Sequence, residues 1–210
     1  MDELVDRLVA SIGVDRAVAE KAVGIILAFL LKEGPADKVQ ALISAIPGAD
    51  AAVQAASSEG GFVSHNEAVV AAGAAKVWSA MLEPANWWNG EHTYSGDPAN
   101  LSLDPTAGGC FCEVVPDAGG EPTGQIEHMR VVYLAPGKTL RMAGALGPLQ
   151  SEAVTGVLTM TVEPAGSGSK IAWDYVVGGY MRMPMAEMAP LVDRVVGEQL
   201  TRLAARLAKP

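Results

Sequence analysis

Apolar residues recur at steps of three and four along the end of the chain, from Met188 to Leu207. This spacing predicts one long helix over roughly residues 185–208, with an apolar stripe along one side. Glu198 and Arg202 fall on the opposite side, at the i,i+4 spacing of a favourable ion pair. Such a helix needs an apolar surface against its stripe, and we expect the preceding strands to build that surface.

Short strands are predicted before this helix, separated by turn-forming Gly, Pro, Asp and Ser residues. In the clearest of them, Val154, Gly156, Leu158, Met160 and Val162 occupy alternate positions, which predicts one buried face and one wetter face. Together with two short helices before the second strand, the pattern predicts an α+β protein: a curved antiparallel sheet of about seven strands around the C-terminal helix, with a cavity between them. The predicted strands are residues 62–71, 100–103, 109–115, 124–134, 139–145, 151–163 and 169–177.

A small all-helical segment is predicted at the start of the chain. Its pattern fits about three helices, with Asp15 as the N-cap of the second and Gly34-Pro35 as its stop. The second helix is apolar nearly all round, so a surplus face must pack either on the other domain or on another copy of the chain. We therefore divide the chain into a helical segment (1–56) that offers a homodimer surface, a linker (57–61) and a domain (62–210).

Composition narrows the classes of partner. The net charge is −9 and the pI is about 4.8, which argues against nucleic acid and against anionic lipid surfaces. The longest apolar run, residues 22–31, is far shorter than the roughly 20 residues that cross a bilayer, and the acidic start does not match a secretory signal. We expect a cytoplasmic protein without a membrane span.

The most unusual stretch is Trp87-Trp88-Asn89-Gly90-Glu91-His92-Thr93-Tyr94. Aromatic planes beside hydrogen-bonding groups are typical of the wall of a small-molecule pocket, and they also occur as plain core packing. We expect one tryptophan in each role. The predicted ligand-binding residues are Trp78, Trp87, Trp88, His92, Tyr94, Arg130, Met142, Leu158, Met160, Trp173, Tyr175 and Tyr180.

Glu113 and His128 are the candidates for acid–base chemistry. His128 lies on an alternating strand, with Arg130 on its own predicted face, and antiparallel pairing brings Glu113 across from one of the two. A carboxylate beside an imidazole in an apolar cavity can act as general acid and base. A structural ion pair is the alternative.

Cys110 and Cys112 are the only cysteines, so no disulfide framework is expected. With His92 or His128 they offer a weak zinc pattern, since a paired CxxC is missing. Nucleophile-elbow, P-loop, dinucleotide-binding and HExxH motifs are also missing. We expect neither a metal site nor a cofactor.

Several motifs in a fixed order resemble a known superfamily. They are WWNGEHTYSGDPANLSLDPTAGGCFCE (87–113), EHMRVVYLAPGKTLRMAGALGPLQ (127–150), DYVVGGY (174–180) and LVDRVVGEQLTRLA (191–204). They resemble bacterial SRPBCC proteins of the START-like, helix-grip superfamily, which includes birch-pollen-allergen-type proteins, polyketide cyclases and heat-shock-ATPase-activator homologues. The resemblance, over about residues 62–208, implies a helix-grip fold with a cavity. Residues 1–56, through stretches such as AEKAVGIILAFLLKEGPADKVQALISAIPG (19–48), resemble part of a small all-helical bacterial domain of unknown function.

Three functions follow as hypotheses. The leading one is binding of a hydrophobic small molecule between the sheet and the C-terminal helix, as a carrier or sensor. The second is a cyclase-like or hydrolytic enzyme that uses Glu113 and His128. The third is a protein-interaction or co-chaperone-like module that acts through the helical segment. Fold analogy cannot choose among them.

Overall fold

A computed structural model describes residues 2–46, 48–49 and 60–208. The chain forms two compact units, Met1–Gly61 and Phe62–Pro210. The predicted linker over 57–61 falls largely outside the described residues, and Gly61 already belongs to the first strand.

The first unit contains the three predicted helices, α1 (Asp2–Ile12), α2 (Arg16–Glu33) and α3 (Ala36–Ala45). The Asp15 side chain caps α2 by accepting a hydrogen bond from the Ala17 amide at 2.8 Å. At the other end of α2 the Gly34 amide donates to the Leu30 carbonyl. The helices enclose a small core of their own, formed by Val5, Ala19, Val23, Leu27, Val39, Ile43 and Ala49.

The outer side of α2 carries large apolar residues. Val18, Ile25, Ile26 and Phe29 are 44–61% exposed, as expected from a helix that is apolar nearly all round. Self-association through this face stays a prediction. Within the described parts of the chain, no helix combines the length and the apolar character that crossing a membrane requires.

The second unit is a seven-stranded sheet with two α-helices. Its strands lie in the order β1-β7-β6-β5-β4-β3-β2, and the pairings from β2 through β7 are antiparallel. Short 3₁₀ turns follow α4 and precede β6. The elements are β1 (Gly61–Val70), α4 (Ala74–Met81), β2 (Leu101–Leu103), β3 (Cys110–Pro116), β4 (Pro122–Ala135), β5 (Thr139–Gly144), β6 (Ala153–Ala165), β7 (Gly168–Tyr180) and α5 (Met185–Leu207). The predicted α+β helix-grip architecture is confirmed.

The terminal helix α5 contributes one side to the core of this unit. Val196, Leu200, Leu203 and Leu207 are buried with side chains of the sheet. Leu191, predicted on the same stripe, is 46% exposed. The polar Gln199, by contrast, is fully buried. Its side-chain oxygen accepts a hydrogen bond from an irregular segment that packs against the helix.

A β-bulge reverses the face on which His128 lies. Phe111 pairs with Met129 and Cys112 pairs with Glu127, so His128 is the extra residue of β4 between them. His128 and Met129 are therefore both buried, whereas Arg130 is exposed. The prediction that His128 and Arg130 share a face is wrong, because simple alternation does not hold across a bulge.

Cys110 and Cys112 form a disulfide that the sequence analysis did not predict. Their Cα atoms are 5.4 Å apart, within the ordinary range for a disulfide. Both residues are half-buried and alternate along β3 with the buried Phe111 and Glu113. Bonded to each other, the two sulfurs are not available as thiolate ligands for zinc.

Gly156 gives a test of how tightly the interior face of β6 is packed. A Cβ at this position would lie 2.4 Å from both Cε2 and the hydroxyl oxygen of Tyr175. Gly156→Ala must displace a ring whose hydroxyl bonds Leu146 and Gly144, and we expect a loss of about 1–3 kcal/mol in unfolding free energy.

Gly124→Ala on β4 is the matched control, because its Cβ would meet Val115 at an ordinary 3.9 Å. Urea unfolding followed by tryptophan fluorescence measures both, since all four tryptophans lie in the second unit. Equal stability of the two variants would contradict the tight packing.

Candidate functional site

A small apolar cavity lies inside the second unit, with a volume of about 20 Å³. It is lined by residues of the sheet, the end of α4 and the segment after it, and no described residue of α5 lines it. Its walls are Met81, Pro84, Trp87, Trp88, Leu103, Phe111, Met142, Leu158, Met160 and Trp173. The cavity is thus displaced from the predicted position between sheet and terminal helix, because the side chains of α5 fill that space themselves.

The aromatic wall of this cavity belongs to the irregular segment that α5 holds in place. The Arg202 Nε donates to the Trp87 carbonyl at 2.8 Å, and the Asn89 amide donates to the Gln199 Oε1 at 2.8 Å. Glu198 accepts a 2.6 Å hydrogen bond from the Asn89 side chain and lies 3.1 Å from the His92 Nε2. The predicted Glu198–Arg202 helix pair is therefore replaced by contacts from each residue to this segment.

A surface groove of about 390 Å³ lies on the other side of Trp87. Trp87 lines both the groove and the cavity, and it is 4% exposed. Its Nε1 donates to the Ala80 carbonyl at 2.9 Å, which holds the indole between the two spaces. The groove is lined by Lys76, Ser79, Ala80, Glu83, Asn86, Trp87, Arg206 and Leu207.

The structure brings half of the predicted ligand-binding residues to the cavity. These are Trp87, Trp88, Met142, Leu158, Met160 and Trp173. The prediction of one tryptophan on the wall and one in the core is too restrictive, since both adjacent tryptophans line the cavity and both are buried. Sequence reasoning missed Met81, Pro84, Leu103 and Phe111 as lining residues, although Phe111 shares its strand face with Glu113.

The other predicted residues lie elsewhere. Tyr180 is 71% exposed, and Trp78 and His92 are half-buried outside the cavity lining. Arg130 is exposed, donates to the Gly108 carbonyl and pairs with Glu127 on the surface. The Tyr94 hydroxyl donates to the Gly147 carbonyl at 3.0 Å.

Tyr175 is fully buried but does not line the cavity. Its hydroxyl accepts from the Leu146 amide and donates to the Gly144 carbonyl. Burial raises its pKa to about 12, against the opposing effect of the Leu146 hydrogen bond. The hydroxyl is therefore neutral and is partnered by the protein's own backbone.

Glu113 and His128 meet, as the strand pairing predicted. The Glu113 Oε2 lies 2.9 Å from the His128 Nε2, and the two residues are 0% and 6% exposed. Glu113 also accepts hydrogen bonds from the backbone amides of Tyr94 and Ser95. The carboxylate thus ties the loop at 94–95 to β3.

Electrostatics define the protonation of this pair. Burial alone would raise the pKa of Glu113, but hydrogen bonds from Ser95, Tyr94 and His128 outweigh it and the pKa is lowered. For His128 burial is the larger effect, and it lowers the pKa against the attraction of Glu113. At neutral pH the pair is a carboxylate that accepts from a neutral imidazole.

The position of the pair limits its chemistry. His128 packs against the Phe111 ring, with ring centroids 5.1 Å apart, and Phe111 lines the cavity whereas His128 does not. A molecule in the cavity would touch Phe111 before it reached the imidazole. This arrangement favours a structural role for the pair, although the geometry between its two members suits proton transfer.

The lowered pKa values predict that the second unit loses stability in acid. A group whose pKa is lower when folded contributes stability above its unfolded pKa, and the contribution is lost as the pH falls. We expect the loss to begin near the ordinary His value of 6.5 and to continue below the ordinary Glu value of 4.5. In His128→Gln, the unfolding free energy from urea unfolding at a series of pH values should fall less steeply in the upper part of this pH range.

His65→Gln is the control, because the pKa of His65 is shifted in the direction opposite to that of His128. The Asp174 carboxylate raises the pKa of His65 through a hydrogen bond and charge attraction, so His65 stabilises the fold more as the pH falls. Removing it should steepen the acid loss. The same pH profile in wild type and His128→Gln would contradict the assignment.

Comparisons with known proteins agree with this fold. A protein of Rhizobium leguminosarum is 20% identical over 70% of this chain and 94% of its own, with a TM-score of 0.50. CV1439 of Chromobacterium violaceum (19% identity, TM-score 0.47) and the protein Ara h 8.0201 (11%, 0.48) each match 70% of this chain over 98% of their own. At 20% identity, the similarity to the Rhizobium leguminosarum protein concerns the fold alone.

A family model gives the assignment. No curated protein matches the sequence. The model described as "Polyketide cyclase / dehydrase and lipid transport" matches residues 63–208, which is nearly all of the second unit and more than half of the chain. The match confirms the resemblance that the sequence motifs indicated. The chain belongs to the polyketide cyclase / dehydrase and lipid transport family.

Proposed function

We propose that the second unit binds an apolar small molecule in the space around the cavity, entering from the groove past Trp87. The observation that carries the proposal is the position of Trp87, which lines both the small apolar cavity and the larger surface groove. The family description includes lipid transport, which is compatible with such a ligand.

The small volume of the cavity means that side chains must move before a ligand can bind there. About 20 Å³ holds no more than one water molecule, so a ligand must displace side chains. Met81, Met142 and Met160 line the cavity together, and unbranched thioether side chains change rotamer with little penalty. Trp87 is linked to α4 through one side-chain hydrogen bond, to Ala80. Its swing toward the groove would join the two spaces.

The apolar lining favours binding over catalysis. Glu113 accepts hydrogen bonds from two backbone amides and from His128, and Phe111 lines the cavity whereas neither member of the pair does. Acid–base chemistry would require Phe111 to move before substrate reached His128. We therefore propose a carrier or sensor.

The direct test is native mass spectrometry of gently purified protein, combined with a panel of lipids and aromatic compounds followed by tryptophan fluorescence. Trp87, Trp88 and Trp173 line the cavity, so a ligand there should change the emission. Absence of both a bound species and any emission change would contradict the proposal.

Trp87→Leu tests the route. A smaller side chain joins the groove to the cavity, so we expect Nile red, a neutral apolar dye, to associate roughly tenfold faster in stopped-flow fluorescence, about 1.4 kcal/mol off the barrier. Trp78→Leu is the control, because Trp78 lines neither space. Equal association rates in the two variants would exclude entry past Trp87.

A further inference from the structure

The indole N–H of Trp173 is the unusual group in this interior. Trp173 is 1% exposed and lines the cavity. Among the described residues, its Nε1 is the one buried side-chain nitrogen or oxygen without a hydrogen-bond partner. Native proteins rarely leave such a donor unpaired, and each instance requires an explanation.

The neighbouring aromatic residues show that the fold can satisfy such groups. The Nε1 of Trp88 donates to the His92 carbonyl at 3.0 Å, and the Nε1 of Trp87 donates to the Ala80 carbonyl. Tyr175, on the same face of β7 as Trp173, has both a donor and an acceptor for its hydroxyl. Among the described residues Trp173 Nε1 has no acceptor, and the cavity is the space that the Trp173 side chain lines.

A water molecule suits this place poorly. Buried waters typically make about three hydrogen bonds, whereas the other side chains around this cavity are apolar or are the indoles of Trp87 and Trp88, whose N–H groups are already engaged. A water would gain Trp173 as its one side-chain partner. An oxygen attached to an apolar molecule needs no further partners, since its hydrocarbon part packs against the phenyl, indole and thioether walls.

We propose that the ligand is a neutral, mainly apolar molecule whose inner end carries one hydrogen-bond acceptor, such as a ketone or ester carbonyl, bound to the Trp173 Nε1. The inference rests on the proposed binding function and adds the chemical class of the ligand. A carboxylate is excluded from this position, because a single donor does not compensate the desolvation of a full charge. A pure hydrocarbon fits the walls but leaves the donor unpaired.

The test compares two ligands of the same shape, acetophenone and α-methylstyrene, in which a carbonyl oxygen is replaced by a methylene group. In wild-type protein, 1H–15N spectra should contain one indole signal from each of the four tryptophans. Acetophenone should move the Trp173 signal downfield and α-methylstyrene should not. A Trp173→Phe spectrum assigns that signal.

Affinity gives the second readout. After correction for partition from water, acetophenone should bind wild type about five- to tenfold more tightly than its hydrocarbon analogue, the usual effect of one hydrogen bond. Trp173→Phe should abolish this preference, whereas Trp78→Phe should keep it, because Trp78 lines neither the cavity nor the groove. Benzoate should bind more weakly than acetophenone.

The outcomes separate the two proposals. If both compounds bind equally and the Trp173 signal stays in place, the ligand class is wrong while apolar binding stands. Tighter binding of benzoate would also overturn the ligand class. If neither compound binds, the proposed function fails and the inference fails with it.

Discussion

The site depends on how α5 supports an irregular stretch of chain. The segment that carries Trp87 and Trp88 has neither helix nor sheet partners for all of its backbone groups, and buried backbone groups require partners. Gln199 accepts from the Asn89 amide and Arg202 donates to the Trp87 carbonyl. These contacts hold two tryptophans against the sheet, where they close the end of the core that α5 does not cover.

The helix α5 and the tryptophan segment pack against the sheet in different ways, and the cavity lies where the tryptophan segment packs. The apolar side of α5 fills its part of the core with branched side chains that are almost completely buried. The tryptophan segment meets the sheet through large rigid rings, with centroids 5.6 Å apart for Trp87 and Trp173 and 5.3 Å apart for Trp88 and Phe111. The small cavity lies among these rings rather than beneath the helix.

The sequence predicted the elements well, because their signals are local. Alternation along residues 151–163 and the turns around it define β6, and the three-four spacing after Met188 defines α5. The face of His128 was not predictable in this way, because it is fixed by an extra residue in the pairing of β4 with β3. Gln199 was equally hidden, since its burial depends on an amide 110 positions away.

The buried polar groups of the second unit differ in how much hydrogen-bonding capacity they leave free for a ligand. The Glu113 carboxylate is engaged by two backbone amides and by His128, so its hydrogen-bonding capacity stabilises the fold. The Tyr175 hydroxyl likewise forms its hydrogen bonds with the backbone of its own domain. Trp173 retains a donor that the described chain does not use. In a buried apolar space, an unsatisfied group is the stronger indication of a ligand than an ionisable pair, because the fold already accounts for the pair.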